Sequence, residues 1–439
     1  MFVSVLGTGY LGATHAACLA ACGHRVHGVD VDPARIELLG QGHAPFHEPG
    51  LDALLSEAVC DGRLTFGTSL AEVAEADVHF ICVGTPQSAD ESAGADLTFL
   101  WQLADELAPQ LRRPCLVVGK STVPVGTAGR LRDLLQQAAP AGMEVEVAWN
   151  PEFLREGHAV ADSMSPDRLV LGVESDEADQ ILRDLYRPLL RAGVPVVRTD
   201  LATAELAKVS ANVMLAARLS LVNLLAEVCE AADADVADLV TILGRDPRIG
   251  PDFLAPGLGY GGGCLPKDTR AFIARARELG VGTPARLLEQ VDAVNLHQRS
   301  RTVALAASLL GGTVDGRRIT VLGAAFKAGS DDVRDSPALD VAGRLHQQGA
   351  AVTVYDPKAC EVARRVHPEL HYAQDVTDAC AGAELLLVLT DWDEFRGLDP
   401  VSLAQTVAVP RVIDGRLVLD ADKWRQAGWQ LRALGRAAA

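Results

Sequence analysis

No two of the nine cysteines stand in a CxxC pair; they are scattered at positions 18, 22, 60, 82, 115, 229, 264, 360 and 380. An odd, dispersed set fits a reducing compartment and points away from structural zinc, so no metal is expected. Basic residues are in short supply too, 40 Lys and Arg against 58 Asp and Glu, a net charge of −18. That balance leaves no broad basic surface to attract nucleic acid or anionic lipid by counterion release. A phosphorylated ligand would have to be held by a few placed Lys, Arg and backbone N–H groups. The opening Met1-Phe-Val-Ser-Val-Leu-Gly has no basic stretch before its apolar run. Neither a secretory signal nor an apolar run of membrane-spanning length is expected, and the chain reads as cytoplasmic.

What is present begins with size: 439 residues, 49% of them apolar, are too many for one core and suggest two to four domains. The most informative stretch is Gly259-Tyr-Gly-Gly-Gly-Cys264-Leu-Pro266-Lys-Asp268. Its glycines let backbone approach a bulky ligand, and its proline suits the start of a helix. A thiol at a helix N-terminus loses pKa and becomes nucleophilic, so Cys264 is a candidate reactive cysteine. The competing reading is a small buried hydrophobe.

Phe2 to Leu6 is an apolar run leading into Gly7-Thr-Gly9-Tyr10-Leu11-Gly12, then an alanine-rich helical stretch, then Arg25-Val-His-Gly-Val-Asp30. This is the strand, glycine turn, helix and acid-tipped strand of a dinucleotide fold. The first glycine turns, the second admits the pyrophosphate, the third packs helix on strand, and the acid bonds the ribose. Asp30, with Asp32 close by, would repel a 2′-phosphate and favours NAD over NADP. Arg35, on the following helix, reads more as a solvated side chain than a phosphate ligand but is kept with the cofactor set. Further strands end at Thr85, at Lys120-Ser121-Thr122 and at Trp149, which predicts a parallel doubly wound α/β sheet with ligands at the strands' carboxyl ends.

The carboxyl third repeats this pattern. Arg318-Ile-Thr-Val-Leu-Gly323 echoes the first strand, Ala351 to Asp356 the second, and Ala383 to Thr390 the third. A second Rossmann-like domain without the dinucleotide fingerprint follows, suited to the substrate. Between the two, Asp200 can cap a helix from Leu201 to about Ala231, whose Leu206, Val209, Val213, Leu221, Leu224 and Leu225 form one wide stripe. That helix is a spine between domains and a dimer surface, or else simply a buried helix. The expected domains are an N-terminal NAD-binding Rossmann domain (1–199), a central helical dimerisation region (200–300) and a C-terminal Rossmann-like nucleotide-sugar-binding domain (301–439).

On that helix Lys208 and Asn212 lie four apart and share a face. Lys208 could be a surface residue paired with Glu205, but its neighbours are apolar, where both polar groups need partners. After Trp149 comes Asn150-Pro-Glu152-Phe-Leu-Arg155-Glu156-Gly157. Its carboxylates at a strand's carboxyl end are general-base candidates, against a base expectation of solvated surface groups.

These motifs together resemble the UDP-glucose/GDP-mannose dehydrogenase family over essentially the whole length. They are the glycine turn, Ser121-Thr-Val-Pro-Val-Gly126, Asn150 to Gly157, Pro166-Asp-Arg168, Ala204-Glu-Leu-Ala-Lys208 with Asn212, Gly259 to Asp268, and Phe326-Lys327 through Arg334-Asp-Ser-Pro337. The resemblance implies four-electron oxidation of a nucleotide sugar, UDP-glucose in the nearer reading and GDP-mannose in the alternative, by two NAD⁺ and through a cysteine thioester. It implies Cys264 as nucleophile, Lys208 and Asn212 as oxyanion partners, and Asp268 as the group ordering Lys208 and the hydrolytic water. Glu152 would be the base, with Thr122 fixing that water. Gly7, Gly9, Tyr10, Leu11, Gly12, Asp30, Arg35, Thr85, Thr122 and Arg334 would meet the cofactor. Glu152, Phe153, Leu154, Glu156, Lys208, Asn212, Phe253, Leu254, Gly261, Lys327 and Arg416 would meet substrate, joined by Arg248 reaching into the partner of a homodimer or larger homo-oligomer. The loop departs from the family's commoner Phe-Gly-Gly-Ser-Cys-Phe. Outside the enzyme class, the rival is a catalytically silent NAD-binding regulatory protein.

Overall fold

The computed structural model describes residues 1–89 and 94–437. Two compact units divide the chain, Met1–Ala211 with Ala274–Gly280, and Asn212–Ile273 with Val281–Ala439. Segment 200–300, expected as a helical middle region, is largely helical (Leu201–Ala231, Val236–Gly244, Leu265–Glu278, Gly282–Leu309) and is shared between the units.

In the first unit the strands are β1 (Phe2–Leu6), β2 (Arg25–Val29), β3 (Leu64–Gly67), β4 (Val78–Ile81), β5 (Cys115–Gly119), β6 (Val145–Trp149), β7 (Leu169–Gly172) and β8 (Val196–Thr199). They form one sheet in the order β3-β2-β1-β4-β5-β6-β7-β8, with the pairs from β3 to β6 parallel. Strand order reverses beside β1, the switch point where such sheets bind ligands. β7 and β8, which no local pattern marks, join through an antiparallel contact between Trp149 and Gly172. The central strands β1, β4 and β5 are buried along nearly their whole length, as a sheet covered on both faces requires. Val3, Val5, Val118 and Ala148 pack into a core on one face. Leu6, Ile81, Val117 and Trp149 pack into a core on the other, as the two-residue side-chain period requires.

The second unit carries β9 (Arg318–Leu322), β10 (Ala351–Tyr355), β11 (His371–Tyr372), β12 (Leu385–Val388), β13 (Arg411–Asp414) and β14 (Gln430–Ala433). Their order, β11-β10-β9-β12-β13-β14, is that of the first six strands again, and every pair is parallel. The fold is therefore α/β with two Rossmann-like doubly wound sheets, as the internal repeat predicts.

The central helix starts where the cap was expected, with Asp200 accepting from the Thr203 N–H at 2.7 Å. Its expected wide apolar stripe is covered only in part. Val209 and Val213 are buried, whereas Leu206, Leu221 and Leu224 are exposed, together with Met214 and Val228. At about 100° per residue these positions share one wide face, part of which meets the core and part of which is exposed. The helix is also long and apolar enough to cross a membrane by length and composition, contrary to the expectation that no run reaches that length. Its polar groups are nonetheless engaged inside the fold: Ser220 donates to the Val291 carbonyl and Asn223 accepts from the Gly257 N–H, both at 2.8 Å.

Candidate active site

In the first unit the chain leaves β1 at Gly7, whose φ of +88° belongs to the left-handed region, and Gly7 donates to the Val29 carbonyl at 2.8 Å. A Cβ on Gly12 would lie 1.8 Å from the Gly7 carbonyl oxygen, so helix and turn can close only around glycine. The helix Tyr10–Ala21 that follows has Gly9 at its N-cap and no side-chain cap, leaving its first N–H groups for an anion. Leu11 is half-buried on its first turn.

Asp30 is buried at the end of β2 and accepts from the Thr8 N–H (2.7 Å) and the Asp32 N–H (3.1 Å). Burial alone would raise its pKa, but those N–H groups and the Arg35 guanidinium outweigh it and hold the carboxyl below its ordinary value. An ionised acid at this place fits a diol and repels a phosphate. Arg35 is neither simply solvated nor free for phosphate: its guanidinium is ion-paired to Asp30 at 2.9 Å. The residues present thus fit NAD.

The loops after β4 and β5 are tied together, since the Thr85 hydroxyl donates to the Thr122 carbonyl at 2.7 Å. After β6, the loop Asn150–Gly157 is anchored by contacts the sequence does not reveal. The buried Lys120 ammonium donates to Asn150 Oδ1 at 2.9 Å, Tyr186 donates to the same oxygen at 2.6 Å, and Asn150 Nδ2 donates to the Val170 carbonyl. Burial pushes Lys120 down to about 8. At the far end of the loop the buried Glu48 carboxylate accepts from the Gly157 and Ala159 N–H groups, each at 2.8 Å, and from the Tyr10 hydroxyl. Burial and the adjoining Glu48 carboxylate raise Tyr10 above its ordinary value.

Between these anchors Glu152 presents one oxygen to the Leu154 N–H (2.6 Å) and the other to Lys208 Nζ (3.0 Å). Lys208 is only 5% exposed, which rules out the surface pairing. Glu205, the alternative partner, instead accepts from the Gly126 and Ala128 N–H groups at 2.7 and 2.6 Å. Phe153 places its ring 5.8 Å from Lys208 Nζ, with the Arg168 guanidinium 3.9 Å over it. Leu154 and Glu156 are half-buried in the same loop.

In the second unit Cys264 is exposed and immediately precedes the helix Leu265–Glu278, its carbonyl accepting from the Asp268 N–H at 2.8 Å. The buried-hydrophobe alternative therefore fails. Asp268 is 1% exposed and accepts from Asn212 Nδ2 at 2.6 Å, with Lys267 Nζ also 2.6 Å away. Sequence reasoning found Asp268 and Asn212 but not Lys267, a neighbour in the chain whose charge resembles any surface lysine. Arg416 donates to the Leu389 carbonyl (2.9 Å) and the Gly259 carbonyl (3.4 Å). Lys327 Nζ sits 5.5 Å from the Phe326 ring centre, and Arg334 forks onto Asp332. Phe253 is exposed in a left-handed conformation, φ +57°, while Leu254 is buried. Arg248 is largely exposed and paired with Asp246 at 2.6 Å. Gly261 has no room for a side chain, since a Cβ there would meet the Asp335 carbonyl at 2.3 Å.

Comparison with known proteins places three family domains along the chain. The NAD binding domain of the UDP-glucose/GDP-mannose dehydrogenase family matches residues 1–190, its central domain 202–297 and its UDP binding domain 320–421. A UDP-glucose 6-dehydrogenase of Rhizobium meliloti is 40% identical over 439 residues, covering 99% of this chain and 100% of that protein. Among solved structures, a UDP-glucose dehydrogenase from Pyrobaculum islandicum is similar at TM-score 0.91 and 37% identity, covering 99% and 98% of the two chains. A UDP-D-ManNAc dehydrogenase from Pyrococcus horikoshii follows at TM-score 0.87 and 27% identity, covering 99% of each.

Proposed function

The chain belongs to the UDP-glucose/GDP-mannose dehydrogenase family and is an NAD-dependent nucleotide-sugar dehydrogenase, and from that premise we propose that it oxidises UDP-glucose to UDP-glucuronate. The named relatives support glucose as the sugar. The observation that carries the mechanism is the exposed Cys264 thiol at the start of a helix, with a buried Asp268 one turn on.

When bound, NAD⁺ accepts a hydride in each of the two oxidations. A base acting through water beside the Lys208 ammonium removes the C6 hydroxyl proton as the aldehyde forms. The Cys264 sulfur then bonds to the aldehyde carbon and the carbonyl oxygen takes a proton, giving a thiohemiacetal that stays on the enzyme. Its carbon still bears a hydrogen, and loss of that hydride with the hydroxyl proton leaves a thioester. Lys208 and Asn212 stabilise the oxyanion that develops in each addition. Glu152 removes a proton from water positioned by Thr122; hydroxide adds to the thioester carbon, the C–S bond breaks, and the thiol is restored with the acid. Asp268, bonded to Asn212 and Lys267, holds the donor side chains in place. Lys327, Arg416 and the Phe253-Leu254 pair hold the nucleotide, and Arg334 meets the cofactor.

A homodimer fits the exposed Met214, Leu221, Leu224 and Val228 of the central helix, with Arg248 reaching to the partner. Light scattering with Leu221→Glu tests this. The substrate assignment is tested by measuring NADH release with UDP-glucose, UDP-N-acetyl sugars and GDP-mannose. UDP-glucose is expected to turn over best; preference for either of the others would reassign the sugar, and failure of all three with NAD still bound would favour a silent regulatory protein.

A further inference from the structure

Five alternating charges run through the second unit beside the thiol loop. Asp292 and Arg270 lie 3.3 Å apart, Arg270 and Asp335 3.3 Å, Asp335 and Arg299 2.9 Å, and Arg299 and Asp340 3.2 Å. Arg270 is six residues beyond Cys264, on the helix Leu265–Glu278 that Cys264 precedes, while Asp292 and Arg299 stand on the helix Gly282–Leu309. Asp335 closes the segment that carries Lys327 and Arg334, and Asp340 lies in the first turn of the helix Pro337–Gln347. The Arg299 side chain is 4% exposed, so its charge depends on these partners.

Asp335 holds a backbone conformation that side-chain-bearing residues seldom adopt, φ +47°. It turns the carboxylate toward the two guanidiniums and the carbonyl toward the thiol loop, where Gly261 passes too close for any Cβ. Next along the loop, Gly262 donates to the Arg334 carbonyl at 2.9 Å, and a Cβ on Gly263 would lie 2.3 Å from the Arg334 guanidinium carbon. Asn295 grips Tyr260 on both sides, accepting from its N–H at 2.7 Å and donating to its carbonyl at 3.0 Å, and Arg299 donates to that same carbonyl. Tyr260 is thus held by the Gly282–Leu309 helix and Gly262 by segment 326–337, with Gly261 and Gly263 packed against the same segment. Gly261, which the commoner family loop shares, is the position where the Asp335 backbone leaves no room for a side chain.

We propose that Asp335 is a positioning residue for Cys264, fastening the loop and helix that present the thiol to the segment that holds the sugar nucleotide. The inference rests on the reading of Cys264 as nucleophile and Lys327 as nucleotide ligand. Its consequence is that the thiol's placement over C6 depends on a carboxylate that touches neither substrate nor sulfur. Asp335→Asn keeps a residue tolerant of left-handed backbone while removing the charge between Arg270 and Arg299.

The test measures kcat and KM for UDP-glucose, UDP affinity, and the rate at which iodoacetamide alkylates Cys264. Asp335→Asn is expected to lower kcat about tenfold to a hundredfold and to change the alkylation rate severalfold, as a thiol misplaced by a fraction of an ångström would. KM and UDP affinity should stay within about threefold, because the nucleotide contacts are untouched. Should Asp335→Asn fail to fold, Arg270→Lys decides: it keeps the charge on the thiol helix but loses the fork, and the same split is expected at smaller size. Folded variants with wild-type kcat and alkylation would overturn the inference, as would a loss that follows the melting temperature alone. If Cys264→Ala still makes acid, the parent reading fails instead; if that variant is inactive while Asp335→Asn is normal, this inference alone fails.

Discussion

Lys208 and Glu152, 56 positions apart in the chain, meet as a buried ion pair at 3.0 Å. A pair so enclosed is costly to assemble and weak evidence of stability by itself, since desolvation offsets most of the attraction. Its place at the carboxyl end of β6 gives it a chemical reason to exist.

Replacing Lys208 with Ala should therefore lower turnover by about two to four orders of magnitude, the size of an oxyanion-stabilising loss, while NAD affinity changes little. Steady-state rates and fluorescence titration of NADH separate the two. Glu152→Gln should in turn slow thioester hydrolysis more than the first hydride transfer, which rapid-quench mass spectrometry would reveal as accumulated enzyme-bound acyl. Unchanged turnover in the lysine variant would make the pair merely architectural.

Lys120 leads to a prediction of opposite sign for stability. Its pKa falls from 10.5 unfolded to about 8 in the fold, because burial disfavours the cation. At pH 7 the folded chain carries a charge it disfavours, and stability from this group rises as pH climbs from 8 toward 10.5. Lys120→Met, with Tyr186 still bonded to Asn150 Oδ1, should raise stability near pH 7 by up to about 3 kcal/mol. Denaturant unfolding at pH 7 and pH 9.5 checks it, the gain shrinking at the higher pH.

Acid should destabilise the first unit before its carboxylates protonate. His79, fully enclosed and bonded through Nδ1 to the Ser4 hydroxyl, is pushed from 6.5 to about 4, and burial also lowers His15 well below its ordinary value. Both are held neutral, so their contribution is complete above pH 6.5 and is lost as pH falls toward 4. His79 alone accounts for about 3 kcal/mol across that window. Urea midpoints at pH 7.5 and 5 measure the effect, and His79→Gln should flatten the slope.

Much of this was legible from local pattern. The glycine turn, the acid at the tip of β2, the strands β9, β10 and β12 and the Asp200 cap are each written within a few consecutive residues. Glu48, Lys120 and the Asn295–Arg299 grip were not, because each acts on a partner distant in sequence: Glu48 bonds Gly157, and Lys120 bonds Asn150. The division of the central helix stripe was equally hidden, since apolar spacing marks which residues prefer burial and not which neighbour covers them. At the candidate site the residue types were recognisable while their partners, Lys208 to Glu152 and Asp268 to Lys267, emerged only from the folded chain.

The central claim, that one sulfur carries the sugar between two oxidations, is tested most directly by counting NADH formed per UDP-glucose consumed in the wild type and in Cys264→Ala. The wild type should give two NADH and one UDP-glucuronate per sugar, and the variant no acid. One NADH per sugar in the wild type, or acid formed by the variant at the wild-type rate, would contradict it.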